Sequence, residues 1–107
     1  MKQIQKQIQR AIKLQSQSKL KQAQTIYESI LKVDPRNVDA LNFLGTIYLQ
    51  MKNLPEAEKW MRKAILEDPF SASANNNLGN ILREMKRYDD AITSYQTAIR
   101  LDRKSVV

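Results

Sequence analysis

Apolar side chains recur along the chain with the period of an α-helix, three or four positions apart. The clearest stripe near the centre of the sequence consists of Leu41, Leu44, Gly45 and Tyr48. A second stripe follows a polar interruption and consists of Ala57, Met61, Ala64 and Ile65. Each stripe places its residues on one face of a helix, so the pattern predicts two amphipathic helices.

Proline residues mark the limits of the second of these helices. Pro55 suits the first turn of a helix, where its missing amide hydrogen has no intrahelical partner in any case. Pro69 disfavours helical geometry at Asp68 and so ends the helix there. The segment from Lys52 to Pro55 separates the two helices, which are therefore predicted to form a helical hairpin.

This hairpin pattern occurs three times at a fixed offset of 34 residues. One column of equivalent positions is Ala23, Ala57 and Ala91, and another is Asp34, Asp68 and Asp102. Small residues recur at Ala11, Gly45 and Gly79, where they allow the paired helices to approach closely. The sequence therefore predicts one domain, residues 1–107, made of three units at residues 4–37, 38–71 and 72–105.

These units resemble the tetratricopeptide repeat (TPR), a 34-residue helical hairpin with the motifs W-x2-L-G-x2-Y, A-x3-F and P. The middle unit carries them as Leu41-x2-Leu44-Gly45-x2-Tyr48, Ala57-x3-Met61 and Pro69. The third unit carries Leu78-Gly79-x2-Leu82 and Ala91-x3-Tyr95, whereas the first has Arg10-Ala11 in place of Leu-Gly. Arg103 replaces the final proline, which predicts that the last helix continues into residues 104–107. The resemblance implies an all-α fold, a right-handed superhelical solenoid of three antiparallel helical hairpins with about six helices.

The resemblance also implies a concave groove, lined by the first helix of each hairpin, in which a peptide or protein segment binds. The predicted groove residues are Ile8, Ile12, Asn42, Phe43, Thr46, Leu49, Gln50, Asn76, Asn77, Asn80 and Arg83. Gln15 is the first-unit equivalent of Leu49, and the groove changes along the solenoid from apolar to amide-rich. The apolar end suits an apolar segment that docks on Ile8 and Ile12, and the alternative is that these two residues pack within the first unit. Separately, the asparagines near Asn75 either bind a peptide backbone through their amides or lie on a solvated helix face.

One known binding device of the family matches this sequence only in part, and another does not match it. The segment Asn77-Leu78-Gly79-Asn80 is similar to the repeats of O-linked N-acetylglucosamine transferase, where a ladder of asparagines binds peptide chains. Gln9 and Phe43 occupy the ladder column in the other two units. The carboxylate clamp that holds chaperone tails is also unmatched, because Ile8, Ile12 and Phe43 replace its lysine and asparagines.

Composition removes several classes of function. The chain has no histidine and no cysteine, which excludes thiol chemistry, cysteine zinc sites and the commonest general base. Its two glycines cannot form a phosphate-binding loop. Acidic pairs such as Asp89 and Asp90 stand at the starts of second helices, where they complement the helix dipole. We therefore predict a chain that is not an enzyme, with no cofactor and no metal.

Positive charge is concentrated at one end of the chain. The formal net charge is +7, and residues 1–33 hold seven basic residues against Glu28 alone. No aromatic residue stands among these lysines to stack on a base, so a solvated face is favoured over nucleic-acid binding. No apolar run approaches the roughly 20 residues that span a bilayer, and no secretory signal is present, so a cytoplasmic protein without a membrane partner is expected.

The third unit ends the repeats without an obvious polar cap. Ile92, Tyr95 and Ile99 are predicted to leave an apolar surface through which the chain forms a homo-oligomer. Trp60 and Tyr88 are predicted to be packing residues. The principal functional prediction is a protein-interaction scaffold. The alternatives are a self-assembling adaptor and an N-terminal targeting or substrate-recruiting module of a larger enzyme, similar to repeats that precede glycosyltransferase or sulfotransferase domains.

Overall fold

The structure, a computed structural model, describes the backbone of residues 2–106 and the side chains of residues 3–103. Six helices account for most of this part of the chain: α1 (Lys2–Ser16), α2 (Leu20–Val33), α3 (Val38–Gln50), α4 (Leu54–Glu67), α5 (Ala72–Glu84) and α6 (Tyr88–Val106). They form three hairpins stacked in chain order, which confirms the predicted all-α solenoid. Helix α6 continues past Arg103 to Val106, as expected, and Val107 lies outside the described residues.

The turns inside the three hairpins have the same backbone conformation. Ser18, Lys52 and Lys86 have φ values of 62°, 64° and 63°, in the left-handed region that reverses the chain direction after a helix. In the middle hairpin the backbone N–H of Asn53 donates to the carbonyl oxygen of Tyr48 at 2.9 Å, and equivalent bonds close the other two turns. These bonds satisfy carbonyl groups that the preceding helix leaves without a partner.

Side-chain caps fix where three of the helices begin. The Oδ1 atom of Asn37 accepts a hydrogen bond from the backbone N–H of Ala40 at 2.9 Å and so caps α3. Ser71 caps α5 in the same way, at 3.1 Å from the N–H of Ala74. Asn53 caps α4, and Pro55 lies in the first turn of that helix as predicted.

Two apolar clusters lie between successive hairpins and hold the stack together. In the first cluster, Tyr27 and Ile30 of α2 pack with Leu44 and Ile47 of α3, and all four side chains are almost fully buried. The second cluster repeats this arrangement with Met61 and Ala64 of α4 and Leu78 and Ile81 of α5. Because a buried Leu or Ile contributes about 1.5–3 kcal/mol, these inter-hairpin contacts are a major source of stability.

The solenoid is curved, and the first helix of each hairpin lies on the inner side of the curve. Helix α3 contacts both α1 and α5, whereas among the described residues α2 does not contact α4 and α4 does not contact α6. The first helices are therefore closer together than the second helices. This places α1, α3 and α5 on the concave face of the molecule and α2, α4 and α6 on its convex face.

The structure contradicts the solvated alternative for Asn75 and the predicted packing of Tyr88. Asn75 is 6% exposed rather than solvated, and its Nδ2 donates to the backbone carbonyl of Ser71 at 2.9 Å. Tyr88 was predicted to pack but is 57% exposed, because it lies on the outer face of the last hairpin. Trp60, in contrast, packs against both clusters as predicted, and its Nε1 donates to Glu56 at 3.0 Å.

Candidate functional site

The concave face contains a cavity of about 500 Å³ that draws on all three hairpins. Helices α1, α3 and α5 supply most of its lining, and the turn between α4 and α5 supplies the rest. The predicted groove residues that line this cavity are Ile12, Asn42, Phe43, Thr46, Gln50 and Asn77. Their spacing on α3, at positions 42, 43, 46 and 50, follows one helix face, so the fold brings them together as the periodicity predicts.

Side-chain amides bridge the first two hairpins across this face. The Nε2 atom of Gln15 donates to Gln50 Oε1 at 2.7 Å and lies 3.1 Å from Thr46 Oγ1. The hydroxyl of Tyr27 lies 3.4 Å from Gln15 Oε1, at the outer limit of a hydrogen bond. Gln15, the first-unit equivalent of Leu49, therefore lines the same cavity as Thr46 and Gln50.

A second amide bridge joins the middle and last hairpins. Asn77 Nδ2 donates to Asn42 Oδ1 at 2.9 Å, and Asn42 Nδ2 points towards Ser73 Oγ at 3.4 Å. An amide side chain offers two donor hydrogens and a carbonyl acceptor, the same groups that a peptide backbone presents. The wall of the cavity is therefore able to exchange its internal hydrogen bonds for bonds to an extended peptide.

Aromatic and aliphatic side chains provide an apolar surface beside the amides. The ring of Phe43 stacks on that of Tyr27, with centroids 5.6 Å apart and an interplanar angle of 20°. Phe43 and Ile12 are both partly buried and both line the cavity. Burial raises the pKa of Tyr27, and the nearby Asp39 carboxylate raises it further. The tyrosine hydroxyl is therefore protonated across the physiological pH range.

Polar residues that sequence reasoning missed also line the cavity. Asp39 and Ser73 lie one helical turn before Phe43 and Asn77, and Asp68 lies at the end of α4. The signal for the first two was the spacing of four residues, which places them on the same helix face. Asp68 had no such signal, because it reaches the cavity from the turn between hairpins.

The remaining predicted groove residues lie outside this cavity. Ile8 is 8% exposed and packs in the first core cluster, which matches the alternative that buried it within the molecule. Leu49 is partly buried against the second cluster. Asn76 and Arg83 are exposed on α5, and Asn80 accepts a hydrogen bond from the Tyr95 hydroxyl at 2.5 Å. These three residues lie on α5, the first helix of the last hairpin, so no further hairpin stands opposite them in the described chain.

The predicted self-association surface is only partly exposed. Ile92 and Ile99 of α6 are 53% and 55% exposed, respectively. Tyr95 instead turns inwards, because its ring packs against Gly79 and its hydroxyl bonds to Asn80. With Tyr88, the two isoleucines form an apolar stripe along α6, which we call the end stripe.

The opposite end of the solenoid has a different chemistry. Lys6, Arg10 and Lys13 of α1 are exposed. Their equivalents in the middle hairpin are Ala40, Leu44 and Ile47, which are buried against the preceding hairpin. The face of α1 that would receive another hairpin is therefore cationic.

Neither a metal site nor a membrane-spanning helix is found within the described residues. No group of three or more acidic side chains converges there as a metal site. Over the same residues, no helix combines the length and the apolar character needed to cross a membrane.

Comparison with solved structures identifies close relatives of the fold. The second TPR of Spaghetti (RPAP3), solved bound to the HSP90 peptide SRMEEVD, superposes with a TM-score of 0.86 at 22% identity, over 92% of each chain. The crystal structure of MamA superposes with a TM-score of 0.77 at 30% identity, over 85% of this chain and 53% of that one. No curated protein is significantly similar in sequence, so this comparison gives no support to a similarity to O-linked N-acetylglucosamine transferase.

Family models give the same result from sequence. One model for the tetratricopeptide repeat matches residues 14–78, and another with the same description matches residues 72–105. The two matches together extend from the end of α1 to α6, across all three hairpins. The chain belongs to the tetratricopeptide repeat family.

Proposed function

We propose that this chain is a protein-interaction scaffold that holds an extended peptide segment in its concave groove. The observation that carries the proposal is the pair of amide bridges, Gln15 with Gln50 and Asn42 with Asn77, on the wall of one cavity. TPR proteins are generally scaffolds without catalytic activity, and the relative from Spaghetti is bound to a peptide. Both facts support this class of function.

In this proposal, polar and apolar groove residues bind different parts of the peptide. Amides at Gln50, Asn42 and Asn77 bond to the backbone of the segment, which every sequence presents, and so give affinity that tolerates sequence changes. Ile12 and Phe43 receive an apolar side chain of the segment and give specificity. Because the cavity draws on units 4–37, 38–71 and 72–105, we propose that the three units act as one domain.

The groove can be tested with a pool of ten-residue peptides randomised at every position. Replacing both bridging asparagines, as Asn42→Ala with Asn77→Ala, removes two hydrogen-bonding groups that we assign to the peptide. A hydrogen bond contributes about 0.5–1.5 kcal/mol, so we expect binding of the pool to weaken by about tenfold. Fluorescence polarisation of the labelled pool measures the loss, and circular dichroism checks that helicity is retained.

Asn76 provides a matched control for this experiment. It is the same residue type on the same helix, but it is exposed and lies outside the cavity. The Asn76→Ala variant should bind the pool like the unmodified chain. Equal loss of binding in both variants, or no loss in the double variant, would show that the groove assignment is wrong.

A second function, self-association, is favoured by a separate observation. The end stripe of Tyr88, Ile92 and Ile99 exposes more than half of each side chain, and exposed apolar surfaces of this kind mark interaction sites. We propose that the end stripe pairs with the same stripe of a second copy. The cytoplasmic location and the role as a recruiting module of a larger enzyme stay predictions.

A further inference from the structure

The groove has the opposite charge to the molecule as a whole. Its cavity is lined by two charged side chains, Asp39 and Asp68, and among the described residues no lysine or arginine lines it. The chain nevertheless carries a formal net charge of +7. The described lysines and arginines therefore lie outside the groove, although Lys6 lines the neighbouring cavity.

The two carboxylates are free to receive a cation. Within the described part of the chain, no ion pair involves Asp39 or Asp68. Asp68 Oδ1 accepts a hydrogen bond from the backbone N–H of Phe70 at 3.2 Å, which leaves its other oxygen available. Lys6 lines a neighbouring cavity together with Asp39, yet the two side chains form no ion pair.

Screening decides which charges a bound segment experiences. At physiological ionic strength the Debye length is about 8 Å, so exposed charges beyond that distance are largely screened. The carboxylates of Asp39 and Asp68 are the charged groups that line the cavity among the described residues, so a bound side chain lies close to them. The local acidic pair therefore outweighs the positive net charge in setting preference, although the net charge affects the rate of approach.

We propose that the groove selects extended segments that carry a lysine or arginine among uncharged residues, and that it rejects acidic segments. This inference rests on the proposed function, in which the groove holds a peptide. A cationic side chain beside Asp39 and Asp68 gains attraction from both carboxylates, whereas an acidic side chain is repelled by both. The amides along α3 and α5 bond to the backbone of either segment, so charge makes the difference between them.

Three peptide pools that differ only in charge test this selectivity. Each pool contains ten-residue peptides of randomised uncharged residues, with two positions fixed as lysine or arginine, as glutamine, or as aspartate or glutamate. We expect the cationic pool to bind about tenfold more tightly than the acidic pool in about 0.15 M salt, with the glutamine pool between them. Fluorescence polarisation gives the three affinities.

The double variant Asp39→Asn with Asp68→Asn identifies the source of the preference. Asparagine keeps the size of each side chain and the oxygen that accepts the Phe70 N–H bond, but it removes the charge. We expect the ratio of cationic to acidic affinity to fall about fivefold. The matched control, Asp89→Asn with Asp102→Asn, changes the net charge equally on α6 outside the cavity and should leave the ratio unchanged.

The outcomes separate this inference from the proposed function. Equal affinities for the three pools, a preference for the acidic pool, or a ratio unaltered by Asp39→Asn with Asp68→Asn would each overturn the charge selectivity. If the Asn42→Ala, Asn77→Ala variant still weakened all three pools, the groove would remain the peptide site. If that variant bound every pool normally, the groove itself would be the wrong site, and the inference would fall with it.

Discussion

At the scale of single residues, the two glycines of the chain face different neighbours. A Cβ atom at Gly79 would lie 2.7 Å from Cε1 of the rigid Tyr95 ring, whereas one at Gly45 would lie 2.8 Å from Cε of the flexible Met61. We expect Gly79→Ala to lower the free energy of unfolding by about 1–3 kcal/mol, because overpacking exceeds the gain in helix propensity of about 1 kcal/mol. Urea denaturation followed by circular dichroism measures the change.

Gly45→Ala is the matched comparison for that variant. Its added methyl group displaces the end of the Met61 side chain, so the cost is smaller and the propensity gain offsets part of it. Gly79→Ala should therefore be the less stable of the two. The reverse order would mean that the Tyr95 ring is not fixed against α5.

Residue columns predicted burial well where equivalent residues have the same chemistry, and less well elsewhere. Asn75 shares the column of Leu41, which is 2% exposed, and that column was the signal for its burial. The low helix propensity of asparagine instead favoured a solvent-exposed position for Asn75. The structure resolves this conflict through the Ser71 carbonyl, which satisfies the buried amide, and periodicity alone does not contain that contact.

At the scale of whole helices, α2 begins without the cap that starts α4. Lys19 precedes α2 with φ −88° and ψ 65° and makes no capping bond from its side chain, whereas Asn53 precedes α4 with φ −93° and ψ 79° and caps it. Because the two backbones are alike, Lys19→Asn should add the missing bond and raise the free energy of unfolding by about 1 kcal/mol. Thermal and urea unfolding measure the gain.

A control for this helix start removes a lysine charge two residues later, at Lys21. Lys21 is exposed in the first turn of α2, where an asparagine side chain has no capping role. Lys21→Asn should leave stability unchanged or lower it by a few tenths of a kcal/mol through reduced helix propensity. Equal stabilisation by both variants would attribute the effect to lost charge repulsion and not to a cap.

The helices themselves were predictable, but the geometry of their turns was not. Period, proline positions and the 34-residue offset are properties of the sequence, and they predicted three hairpins and the long α6. The left-handed residues Ser18, Lys52 and Lys86 carry no such signal, because glycine or asparagine is the usual choice there. Their conformation depends on the bond that closes each turn, which forms only when both helices are in place.

At the scale of the whole molecule, position along the solenoid decides which equivalent residues form a site. Asn42 lines the cavity beside Ser73 and Asn77 of α5, whereas no later hairpin in the described part of the chain stands beside its equivalent, Asn76. Equivalent positions at the 34-residue offset are the same in all three units, so the sequence repeat alone does not predict this difference. Repeat columns therefore predicted the residues that line the cavity between hairpins, but not the different surroundings of their equivalents on the last hairpin.

The two ends of the solenoid determine what assembly the end stripe permits. Stacking one copy on another in the direction of the repeats would bury Lys6, Arg10 and Lys13 of α1 against the end stripe, and burying unpaired charges is costly. Pairing between two end stripes avoids this, because each copy then presents Ile92 and Ile99 to the same surface of its partner. Such a two-fold contact uses up both stripes, so the assembly closes as a dimer and does not grow.

Light scattering behind size-exclusion chromatography, over a wide range of protein concentration, tests this closure. We expect the mass to rise from the 12.4 kDa of one chain towards twice that value and to stop there. Ile99→Asp should weaken the dimer by at least about tenfold, because it places a charge in the apolar contact. Leu66→Asp, at a 79% exposed leucine of α4 outside the end stripe, should leave it unchanged. A mass that stays at one chain, or that grows beyond two, would contradict the proposed contact, since stacking on the cationic face of α1 would bury unpaired charges.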